Sequence, residues 1–197
     1  MTGPNLEIAA GGDQTWGLDT GPAWTLSNGK PGATATGTVS NGGVVKLPSG
    51  HTVDMEVVRH PGSVVLLPIP APGSIILIRQ YRYATGGWLL EIPAGKLETD
   101  EKPDTCAIRE TEEETGFRPS RLEPLGWIWT TPGFCDEKIW LFLATDLEET
   151  RQGLDDDEVL ELERIPIREA VDKAVRGEIH DGKTVCALLR AARRLGV

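Results

Sequence analysis

Apolar positions gather most clearly in two neighbouring runs, "SVVLLPI" at 63–69 and "SIILIRQYR" at 74–82, with "PAPG" between them. Short apolar runs bounded by turn residues read as strands, so the pair predicts a hairpin turning at "PAPG". Upstream, Val53, Met55 and Val57 alternate with polar neighbours after the turn signal "LPSGH", which predicts a half-buried strand. Downstream, "GWLLEIPAG" reads as a short extended segment that ends in a glycine-containing loop.

A helix is expected next. It starts near Glu101 or Lys102, accepts Pro103 in its first turn and stops at Thr115-Gly116. Beyond it, "LEPLGWIWTTPGF" and "EKIWLFLAT" predict two strands around a loop, followed by the acidic loop "DLEETRQGLDDDE" and a short strand "VLELERIP". The end is helical: "IREAVDKAVRGE" and "KTVCALLRAARRL" return apolar residues at helical spacing. Trp127, Trp129 and Trp140 sit in strand context and are expected in the core. The first forty or so residues are rich in Gly, Thr, Asn and Ser, and predict either disorder or a small antiparallel appendage. There is no internal repeat. The fold class is α+β, with helices packed on a mixed sheet.

Composition bounds the function. At 197 residues the chain suits one core plus a smaller appendage. A net charge of -10 argues against nucleic-acid and anionic-membrane partners, yet a local arginine pair can still hold a small phosphorylated ligand. Cys106, Cys135 and Cys186 have no framework or zinc spacing and read as small buried hydrophobes in a reducing compartment. No signal peptide is visible and no apolar run has membrane-spanning length, so a soluble cytoplasmic protein is expected. His51, His60 and His180 lack metal-ligand spacing.

The chemistry concentrates in "RETEEETGF", 109–117, where four glutamates fall within five positions. Such a run is ordinarily a solvated helix face, and glutamate at a helix C-terminus meets the unfavourable end of the dipole. Spacing offers another reading. Glu110, Glu113 and Glu114 share one face, from which hard carboxylate oxygens could reach a common Mg²⁺ or Mn²⁺. Glu112 points elsewhere.

A wider window decides between these. Gly95, Glu101, Arg109, Glu110, Glu113, Glu114 and Gly116 fall in the register of the Nudix hydrolase motif, which the chain therefore resembles over 95–117. Thr111 departs from it, standing where that family prefers an aliphatic residue. The resemblance implies an α/β/α sandwich in which Glu110 and Glu114 are the main metal ligands. Glu113 would lie beside them, and the Ala94 carbonyl would serve as a further ligand to two or more Mg²⁺ (or Mn²⁺) ions. Glu101 and Arg109 would tie loop to helix.

"IRQYRYATGGWLLEIPAGKLE", and Pro132 sixteen residues past Gly116, are similar to the ADP-ribose pyrophosphatase branch; the likeness runs from about residue 43 to 195. It implies residues 59–197 as the hydrolase domain and 1–58 as a β-rich segment that would form the dimer. The implied enzyme is a homodimer that hydrolyses ADP-ribose to AMP and ribose 5-phosphate. Its rivals are another nucleoside diphosphate sugar as substrate (GDP-mannose or a UDP-sugar), and a non-catalytic nucleotide-binding regulatory domain.

Beside such a site, Arg79 and Arg82 become a phosphate clamp. Glu91 is either a buried partner for one of them or a substrate or metal contact. Glu158 lines up best as the general base, with Glu161 second, while 155–157 read as solvated loop. Trp24 or Trp16 could stack on the base. Met55 stands where that branch often carries arginine.

Overall fold

The structure, a computed structural model, describes residues 38–40, 44–155 and 158–197. Trp16 and Trp24, with the rest of residues 1–37 and 41–43, lie outside the described residues. Contacts divide the chain into two units, the smaller holding residues up to His60 together with Thr131–Glu137, the larger Pro61–Thr130 with Lys138–Val197.

In the smaller unit, β1 (Thr38–Ser40) pairs antiparallel with β4 (Val57–Arg59), and β2 (Val44–Lys46) with β3 (Thr52–Asp54). The half-buried strand expected across 53–57 is thus two short strands, interrupted at Met55 and Glu56. Thr131–Glu137 is held here by its own contacts: Asp136 accepts from Arg59 Nη1 at 2.9 Å and from the His60 N–H at 2.8 Å.

The larger unit contains β5 (Ser63–Pro68), β6 (Ser74–Arg82), β7 (Gly87–Glu91), β8 (Ala94–Lys96), α1 (Pro103–Thr115), β9 (Phe117–Trp129), β10 (Lys138–Glu149), β11 (Leu160–Pro166), α2 (Ile167–Val175) and α3 (Gly182–Leu195). One sheet runs in the order β8-β5-β10-β9 and a second runs β11-β6-β7. β5 and β10 are parallel, the other pairs antiparallel, so the first sheet is mixed as expected.

The expected β5–β6 hairpin does not form. β5 pairs with β10 and β8, whereas β6 pairs with β11 and β7. The cause lies in the run itself: all six β5 residues are buried, so the strand needs apolar cover on both faces. Val64 and Leu66 meet Cys106 and Ala107 of α1 together with Phe142 of β10. Val65 and Leu67 meet Ile75 and Leu77 of β6, Ile139, Leu141 and Leu143 of β10, and Ala187, Leu188 and Ala191 of α3. β5 and β6 therefore share a core across two sheets instead of an edge within one, and "GWLLEIPAG" crosses between the same sheets at Ile92-Pro93.

Two further expectations are corrected. Trp127 and Trp129 are each 47% exposed, and only Trp140 packs on the core beneath α1. They stand on β9, last in its sheet among the described strands, where their rings meet edge to face and the Lys138 ammonium lies 4.4 Å from the Trp127 centroid. Of the cysteines, Cys106 is buried, while Cys135 and Cys186 are half-buried; all three are free thiols. Among the described residues no helix is long and apolar enough to cross a membrane.

Candidate active site

α1 begins at Pro103, where the missing N–H costs nothing, and ends at Gly116, whose φ of 70° suits glycine and whose N–H closes on the Glu112 carbonyl. Its inward face is unusual. Beside Cys106 and Ala107 it buries Glu110, Thr111, Glu114 and Thr115. The Thr111 hydroxyl is satisfied by the Ala107 carbonyl at 2.7 Å, so the departure from an aliphatic residue leaves no orphaned donor.

Glu110 and Glu114 lie one turn apart on that face, 8% and 1% exposed. Burial pushes the Glu110 carboxyl up to about 7, against the opposing pull of Arg109, and the charges of Glu113 and Glu158 add to the rise. Burial pushes Glu114 up to about 8. The Ala94 N–H, donating to Oε2 at 2.9 Å, opposes this, and the Glu158 and Glu110 charges reinforce it. Two carboxyls are thus held in low dielectric, with their negative forms incompletely compensated.

Gly95, on β8, shows how tightly Glu110 is seated. A Cβ built there would lie 1.7 Å from the Glu110 carboxyl carbon and 2.0–2.1 Å from its oxygens. No other residue leaves room for that carboxylate against the strand.

Arg109 organises the outer side of the group. Its Nε and Nη2 hold Glu101 as a fork at 3.1 and 2.9 Å, and Nη1 reaches Glu110 at 2.7 Å and Glu113 at 3.0 Å. That fork keeps the Glu101 carboxyl well below the usual carboxylate range. Nη2 also donates to the Lys96 carbonyl at 3.2 Å, tying helix to loop. Glu113 keeps its side chain 44% exposed, and Glu112 turns away to Arg118 at 2.6 Å.

The hard oxygen donors, the incompletely compensated buried charge and the glycine cradle fit a divalent cation held by Glu110 and Glu114. Among the described residues no three acidic, histidine or cysteine side chains already converge on one point; Arg109 shares Glu110 and Glu113 instead. Glu158, in the loop before β11, bonds back to Asp155, and its charge is felt by both buried glutamates. Glu161 lies on β11 opposite Arg79.

The two arginines separate. Arg79 pairs with Glu163 at 3.1 Å on the exposed side of β11-β6. Arg82 forks onto Glu91 through Nε and Nη2, both at 2.9 Å. Glu91 is 1% exposed and also accepts from Lys183 Nζ. Burial pushes Glu91 up, but the Arg82 hydrogen bonds and the nearby Lys183 charge bring it below its ordinary value. Lys183 went unnoticed in the sequence because it lies 92 residues from Glu91; the one signal available was a lysine directly after the helix-opening Asp181-Gly182.

Similarity to known proteins extends over most of the chain. The family described as NUDIX domain matches residues 58–188. An ADP-ribose pyrophosphatase of Bacillus subtilis (strain 168) is 39% identical over 146 residues, covering 73% of this chain and 79% of its own. A methanol dehydrogenase activator of Bacillus methanolicus is 42% identical over the same shares. A GDP-mannose pyrophosphatase of Cronobacter sakazakii is 39% identical over 153 residues, covering 68% and 79%. Among solved structures, an ADP compounds hydrolase superposes with a TM-score of 0.70 at 23% identity, over 84% of this chain and 97% of that one, a likeness of fold.

Proposed function

Since the chain belongs to the NUDIX domain family, we propose that it is a Mg²⁺-dependent pyrophosphatase that hydrolyses ADP-ribose to AMP and ribose 5-phosphate in the cytoplasm. The observation that carries this is the buried Glu110–Glu114 pair with the Gly95 cradle, a charge arrangement costly to the fold and suited to a divalent cation on a diphosphate. The relatives that act on ADP-ribose and on GDP-mannose support a nucleoside diphosphate sugar as the substrate class.

Glu110 and Glu114 would hold the cation, with Glu113 beside them and the Ala94 carbonyl as a backbone ligand; two or more ions are proposed. When bound, they would acidify water and neutralise charge on the diphosphate. Arg82, gripped by Glu91 on one edge, would offer its Nη1 edge to a phosphate oxygen, whereas Arg79 stays with Glu163 on the other face of β6 and adds at most long-range positive charge. Glu158 takes the proton of the attacking water, since its charge is already felt by both buried carboxylates. Water adds to one phosphorus, the bridging P–O bond breaks, and the bridging oxygen leaves on the other phosphate. Trp24 would contact the base, and the chain would act as a homodimer, for which light scattering should return twice the chain mass.

Incubating the chain with Mg²⁺ and a panel of ADP-ribose, GDP-mannose and a UDP-sugar, then separating the nucleotides, tests the assignment. AMP from ADP-ribose should form fastest. Preferred release of GMP or UMP would overturn the choice of base, and no cleavage of any of the three would favour the regulatory alternative.

A further inference from the structure

Lys183 belongs to no part of the reaction described so far, yet it is placed with care. Its side chain is 15% exposed, and its ammonium is shared between Glu91 and Asp181, the latter at 2.9 Å. Asp181 also caps α3 by accepting from the Thr184 N–H at 3.0 Å. The Thr184 hydroxyl in turn accepts from the Ile92 N–H at 2.9 Å. The first turn of α3 is therefore fastened twice to the end of β7, once at the Glu91 carboxylate and once at the next backbone amide.

That stretch leads directly into the site. Ile92 and Pro93 connect Glu91 to Ala94, whose N–H holds Glu114, and to Gly95, which seats Glu110. Glu91 presents Oε1 and Oε2 to Arg82 but only Oε2 to Lys183. A carboxylate gripped from two sides cannot rotate, and the guanidinium forked onto it cannot rotate either. Arg82 alone would offset much of the burial cost of Glu91. The second cation adds orientation, and it leaves Arg82 less fully neutralised toward a phosphate.

We propose that Lys183, with Asp181 and Thr184 behind it, is a positioning residue that orients Arg82 toward the substrate diphosphate through Glu91. This rests on the hydrolase reading. Loss of Lys183 should weaken substrate binding rather than chemistry: in Lys183→Gln, KM rises about tenfold while kcat stays within about threefold. A merely structural lysine would lower the folded fraction, and so apparent kcat, without moving KM. Lys183→Arg, which keeps charge and reach, should restore KM to within about twofold of wild type. If Lys183 acts through Arg82, its effect disappears once Arg82 is changed, so Arg82→Lys and the double variant share one KM.

Steady-state kinetics on the wild type and these four variants with ADP-ribose and Mg²⁺, each checked by thermal melting, read all of this. Where Lys183→Gln does not fold, Asp181→Asn, which keeps the helix cap but removes the second charge holding Lys183, carries the test. KM should rise with kcat little changed, and Arg82→Lys should abolish that rise, while an unchanged KM overturns the positioning role. An active wild type with equal KM in Lys183→Gln, or multiplicative effects in the double variant, overturns the positioning role alone. A wild type that cleaves no nucleoside diphosphate sugar overturns the hydrolase reading and this one with it.

Discussion

α1 and α3 are near-equal in length and both close on a left-handed glycine, yet their N-caps, end charges and buried faces follow opposite rules. α3 has a side-chain N-cap from Asp181, basic Arg193 and Arg194 in its last turn, Gly196 as a left-handed C-cap, and buries Ala187, Leu188, Ala191 and Ala192. Each choice favours a helix at that place. α1 has no side-chain N-cap and no basic residue in its last turn, crowds four glutamates toward its C-terminal end, and buries two of them. The dipole runs against its C-terminal glutamates, and the helix is held by the Arg109 fork and by Cys106 and Ala107 packing on β5. A helix that breaks local rules while a neighbour keeps them marks where function outranks stability.

Substitutions should separate the two helices. The largest effect is expected for Glu114→Gln, which should lower kcat/KM at least about a hundredfold, since even supporting residues of metal sites cost ten- to a hundredfold. Yet its metal-free melting temperature at pH 8 should equal or exceed wild type, because a buried charge has been removed. A less stable protein with unchanged kinetics would erase the contrast. Leu188→Ala in α3 should do the reverse, costing about 2–5 kcal/mol in denaturant unfolding while kcat and KM per folded molecule stay put.

The pH dependence of stability is the next test. Glu110 and Glu114 are raised from 4.5 to about 7 and about 8, so their contribution is fully present below pH 4.5 and is lost as pH rises through 7 to 8. Metal-free protein should therefore lose melting temperature between pH 5 and 8, and the Glu110→Gln, Glu114→Gln variant should lose less. Equal slopes would count against the burial argument. The smallest effect is expected at Thr111→Val, which removes a satisfied hydroxyl from a fully buried position and should change stability by no more than about 1 kcal/mol with activity within twofold.

Much of the site was legible in the sequence, because α1 is local. Its limits, its glycine cap and the sharing of one face by Glu110 and Glu114 follow from spacing along one helix. Glu113 sharing that face while remaining half in water follows from the same geometry. What local pattern could not supply was long-range pairing. "SVVLLPI" and "SIILI" are apolar at successive positions, which says that both faces are covered but not by what; the nearest turn suggested a hairpin, and the pairing went elsewhere. Trp127 and Trp129 carry strand character without burial because they alternate with Ile128, which takes the core-facing side of β9, and strand pattern alone did not assign the two faces. Glu91 had two readings, and only folding brings Arg82 and Lys183 to its oxygens.

The central claim is that α1 buries Glu110 and Glu114 in order to hold a divalent cation. Titrating Mn²⁺ by electron paramagnetic resonance into wild type and the Glu110→Gln, Glu114→Gln variant at pH 8 and pH 6 tests it most directly. Wild type should bind at pH 8 and at least about tenfold more weakly at pH 6, where protons compete for the raised carboxyls. The variant should not bind at either pH. Undiminished Mn²⁺ binding in the variant, or none in wild type at pH 8, would contradict the account.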